Sequence, residues 1–302
     1  MERLRGFISS VTSITMTDKM KKAFVFGGGS SLGSIEVGML KALVERDVIP
    51  DFVVGTSAGA LNATYFAQNP TLEGVLALEK IWKGLSSKEI FPISPLKSVM
   101  SLLKKKNYLI DPKGLHALVN CALSINDLSE TKIPTYVVTT DILSGEEVVF
   151  NSGGPVKDIL SASAAIPGIY PPVKVGNHLL VDGGIVNNTP ISTAIQHGAT
   201  QIIVLTTGFT CDLRDEPKSL PDMMLTSYKY MQHRKLATDV EMYKHKANLR
   251  IIPPLCPLTV LSNDFSHGAE LIDRAYIQTV QWLDAGNLDS ESLPKLMRFH
   301  TH

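Results

Sequence analysis

Apolar residues follow two different periods along the first part of the chain. Short apolar runs at 22–26 and 52–54 each lead into a glycine-containing turn, and the residues after each turn carry apolar side chains at helical spacing. A strand, a glycine turn and a helix, repeated in this order, form a βαβ unit, which implies a parallel sheet with both faces covered. The pattern therefore predicts an α/β fold.

The remaining apolar pattern predicts further strands and helices. Strands are expected at 135–139, 147–150, 179–181, 201–205 and 249–252. Helices are expected at 71–83, 112–122, 155–165, 190–197, 220–246 and 267–285. Residues 91–110 are the least regular segment, and we interpret them as an excursion over one face of the sheet.

No internal repeat and no change of composition marks a second domain. We therefore expect a single three-layer α/β/α domain, with a mostly parallel central sheet and helices on both faces. Its bounds are expected at 21–286, between a loose N-terminal extension at 1–20 and a C-terminal tail at 287–302.

Composition and charge exclude several classes of protein. The 302 residues are 44% hydrophobic and 19% charged, which is typical of a globular protein and not of a disordered chain. The 29 basic and 29 acidic side chains balance, so no nucleic acid is expected as a partner. Three widely spaced cysteines favour a reducing, cytoplasmic location. No apolar run approaches the roughly 18 residues that span a bilayer, and the Ser/Thr-rich start leaves targeting open.

The second glycine turn, residues 55–59 (GTSAG), lies between a predicted strand and a predicted helix. In a GxSxG elbow the serine occupies a strained turn, and the flanking positions are glycine because a side chain there would collide with neighbouring backbone. Ser57 is therefore the candidate nucleophile, with the N-terminus of the next helix aimed at any negative charge that develops. The alternative is a small-residue turn that serves only close packing.

The first glycine turn, residues 27–33 (GGGSSLG), also opens a helix, so its free amides can bind an anion. A dinucleotide fingerprint fails because Leu32 or Ser30 stands where a glycine is required, and a Walker loop fails because no lysine follows Gly33. An oxyanion hole needs only backbone N–H groups near the nucleophile. We interpret the turn as such a hole, with a purely structural turn as the alternative.

Asp182 directly follows the predicted strand at 179–181 and precedes two glycines. A carboxylate at the carboxyl end of a strand lies where α/β enzymes keep their sites, although a turn-forming Asp before glycine is also common. None of the eight histidines has a recognisable triad context. His178 lies four residues before Asp182, about 13 Å away along a strand, so the two cannot serve one hydroxyl. His267, which opens the last predicted helix, is the remaining histidine candidate.

In their order along the chain, these motifs resemble the patatin-like phospholipase family. A glycine-rich strand–turn–helix is followed by GxSxG, by the segment 161–173 (SASAAIPGIYPPV) and by Asp-Gly-Gly at 182–184. The Asn-Thr-Pro turn at 188–190 is similar to the polar turn that follows in the family. The resemblance covers residues 22–205 and implies a serine lipid acyl hydrolase that works with a Ser-Asp dyad.

Carried over to this sequence, the resemblance implies that Ser57 is the nucleophile and Asp182 the base. The oxyanion would be held by amides among Gly28, Gly29 and Ser30, and water would later release the acyl group. The other motif glycines are expected to support this arrangement: Gly27, Gly33, Gly55, Gly59, Gly183 and Gly184. The substrate would be a fatty-acyl ester or a phospholipid, and neither a cofactor nor a metal is implied.

Other functions stay open. A related acyltransferase would pass the acyl group to another acceptor, and a conventional α/β-hydrolase would combine Ser57, Asp182 and His267. An inactive lipid-binding scaffold is the non-enzymatic alternative, against which the intact motifs argue.

One segment is a candidate for peripheral contact with a membrane. Residues 95–106 combine an apolar face with four lysines, which is typical of helices that lie in an anionic interface. The contacting side chains would be Leu96, Val99, Leu103, Lys104, Lys105 and Lys106. An ordinary surface helix with solvated lysines is the alternative.

Overall fold

A computed structural model describes residues 20–92, 106–208, 216 and 220–290. The strands are β1 (Lys22–Phe26), β2 (Phe52–Thr56), β3 (Thr135–Asp141), β4 (Glu147–Phe150), β5 (Val173–Val175), β6 (His178–Asp182), β7 (Gln201–Leu205) and β8 (Asn248–Ile251). The helices are α1 (Gly33–Val44), α2 (Ala58–Gln68), α3 (Leu72–Gly84), α4 (Ser87–Ile90), α5 (Lys113–Ala122), α6 (Val156–Ser163), α7 (Gly184–Asn187), α8 (Ile191–Gln196), α9 (Leu220–Tyr243) and α10 (Gly268–Asp284).

Within these residues the eight strands form one mixed sheet. Parallel pairs join β8, β7, β1, β2 and β3 in that order. β4 and β6 pair antiparallel with β3, and β5 pairs antiparallel with β6. The expected parallel arrangement is therefore confirmed for the centre of the sheet, and the antiparallel pairing of β4 and β6 with β3 was not predicted.

Alternate side chains of β1 enter two different apolar layers. Phe24 and Phe26 are fully buried with side chains of α1, α3 and α10. Ala23 and Val25 are equally buried, but they pack with side chains of α8 and α9. Successive residues of a strand point to opposite faces, so helices cover both faces of the sheet. The predicted three-layer α/β/α architecture is confirmed.

The ends of β2 and β6 meet on one edge of β3. Thr56, the last residue of β2, pairs with Val138, and Asp182, the last residue of β6, pairs with Thr139. β4 occupies the opposite edge of β3 over both of these positions. The C-terminal ends of β2 and β6 therefore face each other along the same edge of β3. Because Ser57 directly follows Thr56, the strand register alone brings residues 57 and 182 together.

Most predicted elements have the expected type, with ends shifted by a few residues. β5 was not predicted, because three residues are too few to show a period. Residues 1–19, 93–105 and 291–302 lie outside the described residues. Most of the expected N-terminal extension, of the excursion at 91–110 and of the C-terminal tail therefore lies outside the described residues. The same holds for the membrane-contact candidates other than Lys106. None of the described helices combines the length and hydropathy needed to cross a membrane.

Candidate active site

Ser57 lies on a strained turn between β2 and α2. Its backbone has φ = 55° and ψ = −125°, a conformation that costs a non-glycine residue about 1–3 kcal/mol and persists where the surroundings enforce it. A Cβ on Gly55 would lie 2.5 Å from the Gly59 carbonyl oxygen, and one on Gly59 would lie 2.6 Å from the Gly27 carbonyl oxygen. Both glycines are therefore required for the close approach of α2 to the sheet.

A hydrogen-bonded chain holds the elbow against β3. The Ser57 N–H donates to the Ser163 hydroxyl oxygen at 2.9 Å, and this hydroxyl donates to the Val138 carbonyl oxygen at 2.7 Å. All of these groups are buried. Ser163, at the end of α6, thus fixes the turn that presents Ser57, a role that the sequence did not reveal.

The Ser57 hydroxyl donates a hydrogen bond to Asp182. Its Oγ lies 2.7 Å from Asp182 Oδ2, and the other carboxylate oxygen, Oδ1, accepts the Gly184 N–H at 2.7 Å. Ser57 and Asp182 are both buried. Each carboxylate oxygen therefore has one fixed donor, which orients the carboxylate toward the serine.

Burial raises the pKa of Asp182 to about 6, although the hydrogen bonds from Ser57 and Gly184 act to lower it. An exposed aspartate has a pKa of about 3.9 and is a poor base. At neutral pH the Asp182 carboxylate is still ionised, and its affinity for a proton is higher than that of an exposed aspartate. This environment suits a general base.

The glycine-rich turn leaves two amides available beside Ser57. The Gly28 N–H donates to the Asn188 carbonyl oxygen at 3.0 Å, which corrects the expectation that this amide serves the oxyanion. The N–H groups of Gly29 and Ser30 make no hydrogen bond with any residue that the structure describes. Ser30 has φ = 53°, so a second strained backbone conformation lies in the same pocket as Ser57.

The Gly28 peptide is clamped from two sides. Its carbonyl oxygen accepts hydrogen bonds from Asn188 Nδ2 at 3.0 Å and from Thr207 Oγ1 at 2.9 Å. A Cβ on Gly28 would lie 3.1 Å from Ser57 Cβ, so this turn and the elbow are in direct contact. No sequence motif indicates the clamp, since Thr207 belongs to no motif and Asn188 belongs only to the turn that resembles the family's polar turn.

The remaining motif glycines, with one exception, stand where a Cβ would overlap neighbouring atoms. A Cβ on Gly33 would lie 2.8 Å from the Trp82 ring, one on Gly183 would overlap the backbone of β3, and one on Gly184 would lie 2.9 Å from Asp182 Oδ1. Gly27 has more room, because its nearest contact would be at 3.3 Å.

Helix α9 forms one wall of the pocket above Ser57 and Asp182. Its lining side chains are Tyr228, Lys229, Tyr230, Gln232, His233 and Leu236. Lys229 is the only lysine or arginine among the described lining residues, and burial lowers its pKa. From the sequence this segment was predicted only as a helix at 220–246, because it carries no motif.

The histidine alternative is not supported by the structure. His267 contacts Glu270 Oε2 at 3.0 Å and Asp264 Oδ2 at 3.6 Å, and it does not line the pocket in the described part of the chain. His178 contacts Asp141 Oδ2 at 2.8 Å, at the start of β6. A triad of Ser57, Asp182 and His267 is therefore wrong. His233 does line the pocket, and no sequence motif had indicated it.

No three His, Cys, Asp or Glu side chains are grouped as metal ligands in the part of the chain that the structure describes.

The sequence of the chain is similar to those of known proteins. The Patatin-like phospholipase family matches residues 24–195, more than half of the chain. Patatin-like phospholipase domain-containing protein 7 of Mus musculus is 29% identical over 189 residues, which cover 62% of this chain and 13% of that protein. Neuropathy target esterase sws of Drosophila melanogaster is 30% identical over 187 residues, 61% of this chain and 13% of that protein. The chain thus spans a small part of the length of these relatives.

A solved structure, VipD from Legionella pneumophila, shares the fold. It is superposed with a TM-score of 0.50 and 16% sequence identity, over 88% of this chain and 67% of VipD. The family match covers the glycine-rich turn, the serine elbow and the Asp-Gly-Gly strand end. The chain belongs to the patatin-like phospholipase family.

Proposed function

We propose that the chain is a lipid acyl hydrolase that cleaves fatty-acyl esters through an acyl-serine intermediate on Ser57, with Asp182 as the base. The observation that carries the proposal is the 2.7 Å hydrogen bond between the two side chains, on a strained elbow beside two available amides. Strain and a raised carboxylate pKa in one pocket are features of functional sites.

In the first half of the reaction, Ser57 Oγ attacks the ester carbonyl carbon while its proton passes to Asp182. The negative charge that develops on the carbonyl oxygen is stabilised by hydrogen bonds from the N–H groups of Gly29 and Ser30. Neither amide has to give up a hydrogen bond to a described residue to do so. When the intermediate collapses, the ester C–O bond breaks and the leaving alcohol oxygen takes the proton back from Asp182. The acyl group remains on Ser57.

In the second half, water replaces the alcohol. Asp182 removes a proton from the water as its oxygen attacks the acyl carbon, and the same two amides hold the oxyanion. Collapse releases the fatty acid and returns the proton from Asp182 to Ser57 Oγ. One carboxylate thus serves both halves, as a base and then as an acid.

The family and the pocket favour a phospholipid or lysophospholipid as substrate. The relatives that match are named as phospholipases and as an esterase, and Lys229 places one basic side chain in the wall of the pocket. Peripheral contact with a membrane stays a prediction, since only Lys106 of the candidate residues lies within the described chain.

The proposal is tested by incubating the protein with lysophosphatidylcholine, with phosphatidylcholine vesicles and with an aryl butyrate, and measuring the acid released. We expect hydrolysis of at least one ester, and a fall of kcat by about 10³-fold or more in Ser57→Ala, because the nucleophile is lost. If the wild-type protein releases no acid, or if Ser57→Ala is as active as wild type, the proposal is wrong.

The pH dependence of hydrolysis should report Asp182. Because the carboxylate acts as base only when ionised, kcat/KM should rise about tenfold per pH unit below its pKa and level off above about 6. Rates between pH 4.5 and 8 at two temperatures give the measurement. A carboxylate inflection moves little with temperature, whereas an imidazole inflection moves strongly, so a strongly temperature-dependent inflection would assign the base to a histidine.

A further inference from the structure

The hydroxyl of Tyr228 on α9 is buried and makes no hydrogen bond with any described residue. Gln232 lies one turn further along the helix, and its side chain acts to lower the pKa of this phenol, but the pair does not have the geometry of a hydrogen bond. Leaving a buried hydroxyl without a partner costs about 1–3 kcal/mol. Such a group in a native protein requires an explanation.

This hydroxyl lies beside the carboxylate of Asp182, inside the same pocket. A Cβ placed on Gly184 would be 2.8 Å from the Tyr228 hydroxyl oxygen and 2.9 Å from Asp182 Oδ1. The two oxygens are therefore no more than about 5.7 Å apart. The carboxylate already accepts the Ser57 hydroxyl on Oδ2 and the Gly184 N–H on Oδ1, so the phenol is close to it without being bonded to it.

The phenol is fixed as a hydrogen-bond donor at neutral pH. Burial and the nearby Asp182 carboxylate both raise the pKa of Tyr228, because each disfavours the phenolate. Tyr228 thus keeps its proton over the range in which Asp182 is ionised, and it cannot replace Asp182 as the base.

This inference rests on the proposed function, in which two oxygen atoms must come close to the Asp182 carboxylate during the reaction. The leaving alcohol oxygen takes a proton from Asp182, and the oxygen of the hydrolytic water gives a proton to Asp182. Both must therefore lie within hydrogen-bond reach of the carboxylate on its pocket side. The Tyr228 hydroxyl lines the same pocket, close to Oδ1 of this carboxylate.

We propose that Tyr228 is a further catalytic residue, whose hydroxyl donates a hydrogen bond to the leaving alcohol oxygen in the first half of the reaction and to the water oxygen in the second. In the first half the hydrogen bond stabilises the negative charge on the departing oxygen until Asp182 protonates it. In the second half the Tyr228 hydroxyl donates to one lone pair of the water oxygen. The other lone pair attacks the acyl carbon, and a proton of the water moves to Asp182.

Tyr228→Phe tests the proposal, because it removes only the hydroxyl. Two rates are measured: hydrolysis of lysophosphatidylcholine, and covalent labelling by a fluorophosphonate, whose fluoride departs without protonation. Hydrolysis should fall about 10–100-fold, the effect of one hydrogen bond to a charged oxygen, while labelling of Ser57 stays within about twofold of wild type. Tyr243→Phe, which removes a hydroxyl at the far end of the same helix, should change neither rate.

The other outcomes overturn the proposal in distinguishable ways. If Tyr228→Phe hydrolyses the lipid at the wild-type rate, the hydroxyl has no part in the reaction, and the Ser57–Asp182 mechanism stands. If hydrolysis and labelling fall together, Tyr228 only maintains the shape of the pocket. If wild-type protein neither labels nor hydrolyses, the proposed function fails, and the role of Tyr228 fails with it.

Discussion

Asp182→Asn is expected to lower kcat for ester hydrolysis by about 10²–10⁴-fold, the contribution of a positioned general base. Asparagine keeps the shape of the side chain: its oxygen can accept the Gly184 N–H, and its amide can face Ser57 Oγ. It cannot take a proton from the serine. The loss would therefore come from proton transfer and not from a change in the elbow.

His267→Ala is the matched control for this variant. His267 contacts only surface carboxylates in the described structure, at 3.0 Å from Glu270 and 3.6 Å from Asp264. We expect its removal to leave kcat and KM for the same ester unchanged. The reverse pattern, with Asp182→Asn active and His267→Ala inactive, would replace the dyad by a histidine-based mechanism.

The same Asp182→Asn variant is expected to be more stable than wild type at pH 8. Burial raises the pKa of Asp182 from 3.8 to about 6 in the folded protein, so the folded state binds this proton more tightly than the unfolded state. The stabilisation is complete below pH 4 and is lost as the pH rises through 6. By pH 8 the buried charge costs up to about 3 kcal/mol, at 1.36 kcal/mol for each pKa unit.

Thermal or urea unfolding at pH 4.5 and pH 8 measures this effect. Asparagine does not ionise, so the free energy of unfolding should exceed that of wild type at pH 8, with a smaller difference at pH 4.5. Asp141→Asn should act in the opposite direction at pH 8, because the hydrogen bond from His178 lowers the pKa of Asp141. Equal stabilities of Asp182→Asn and wild type at pH 8 would show that Asp182 carries no buried charge.

The parts of the fold that depend on local pattern were predictable. The run at 22–26 is a strand because its apolar side chains fill two layers, and the glycines at 55 and 59 are where a Cβ would strike backbone. The GxSxG spacing therefore predicts the position of the serine elbow. Both features show in a short stretch of sequence, although the backbone that excludes a Cβ on Gly59 belongs to Phe26 and Gly27.

The meeting of Ser57 with Asp182 follows from register, which the sequence does not display. Asp182 was expected at the carboxyl end of a strand in a parallel sheet, but β6 is antiparallel to β3. It reaches the serine because β2 and β6 end on adjacent positions of β3, at Val138 and Thr139. The pairing of β6 with β3 depends on contacts between residues about forty positions apart.

The residues that complete the site could not be predicted from local sequence pattern either. The engagement of the Gly28 amide by Asn188 depends on two turns that are distant in sequence. Tyr228 lies on a helix whose apolar pattern is weak and which carries no motif. Such roles are set by which side chains share a pocket, and only the folded arrangement reveals this.

The most direct measurement is peptide mapping of the chain after reaction with a fluorophosphonate. We predict a single adduct, on the peptide that contains Ser57, formed much more slowly in Asp182→Asn and at the wild-type rate in His267→Ala. An adduct on another serine, or a labelling rate that depends on His267 and not on Asp182, would contradict the assignment of Ser57 and Asp182 as nucleophile and base.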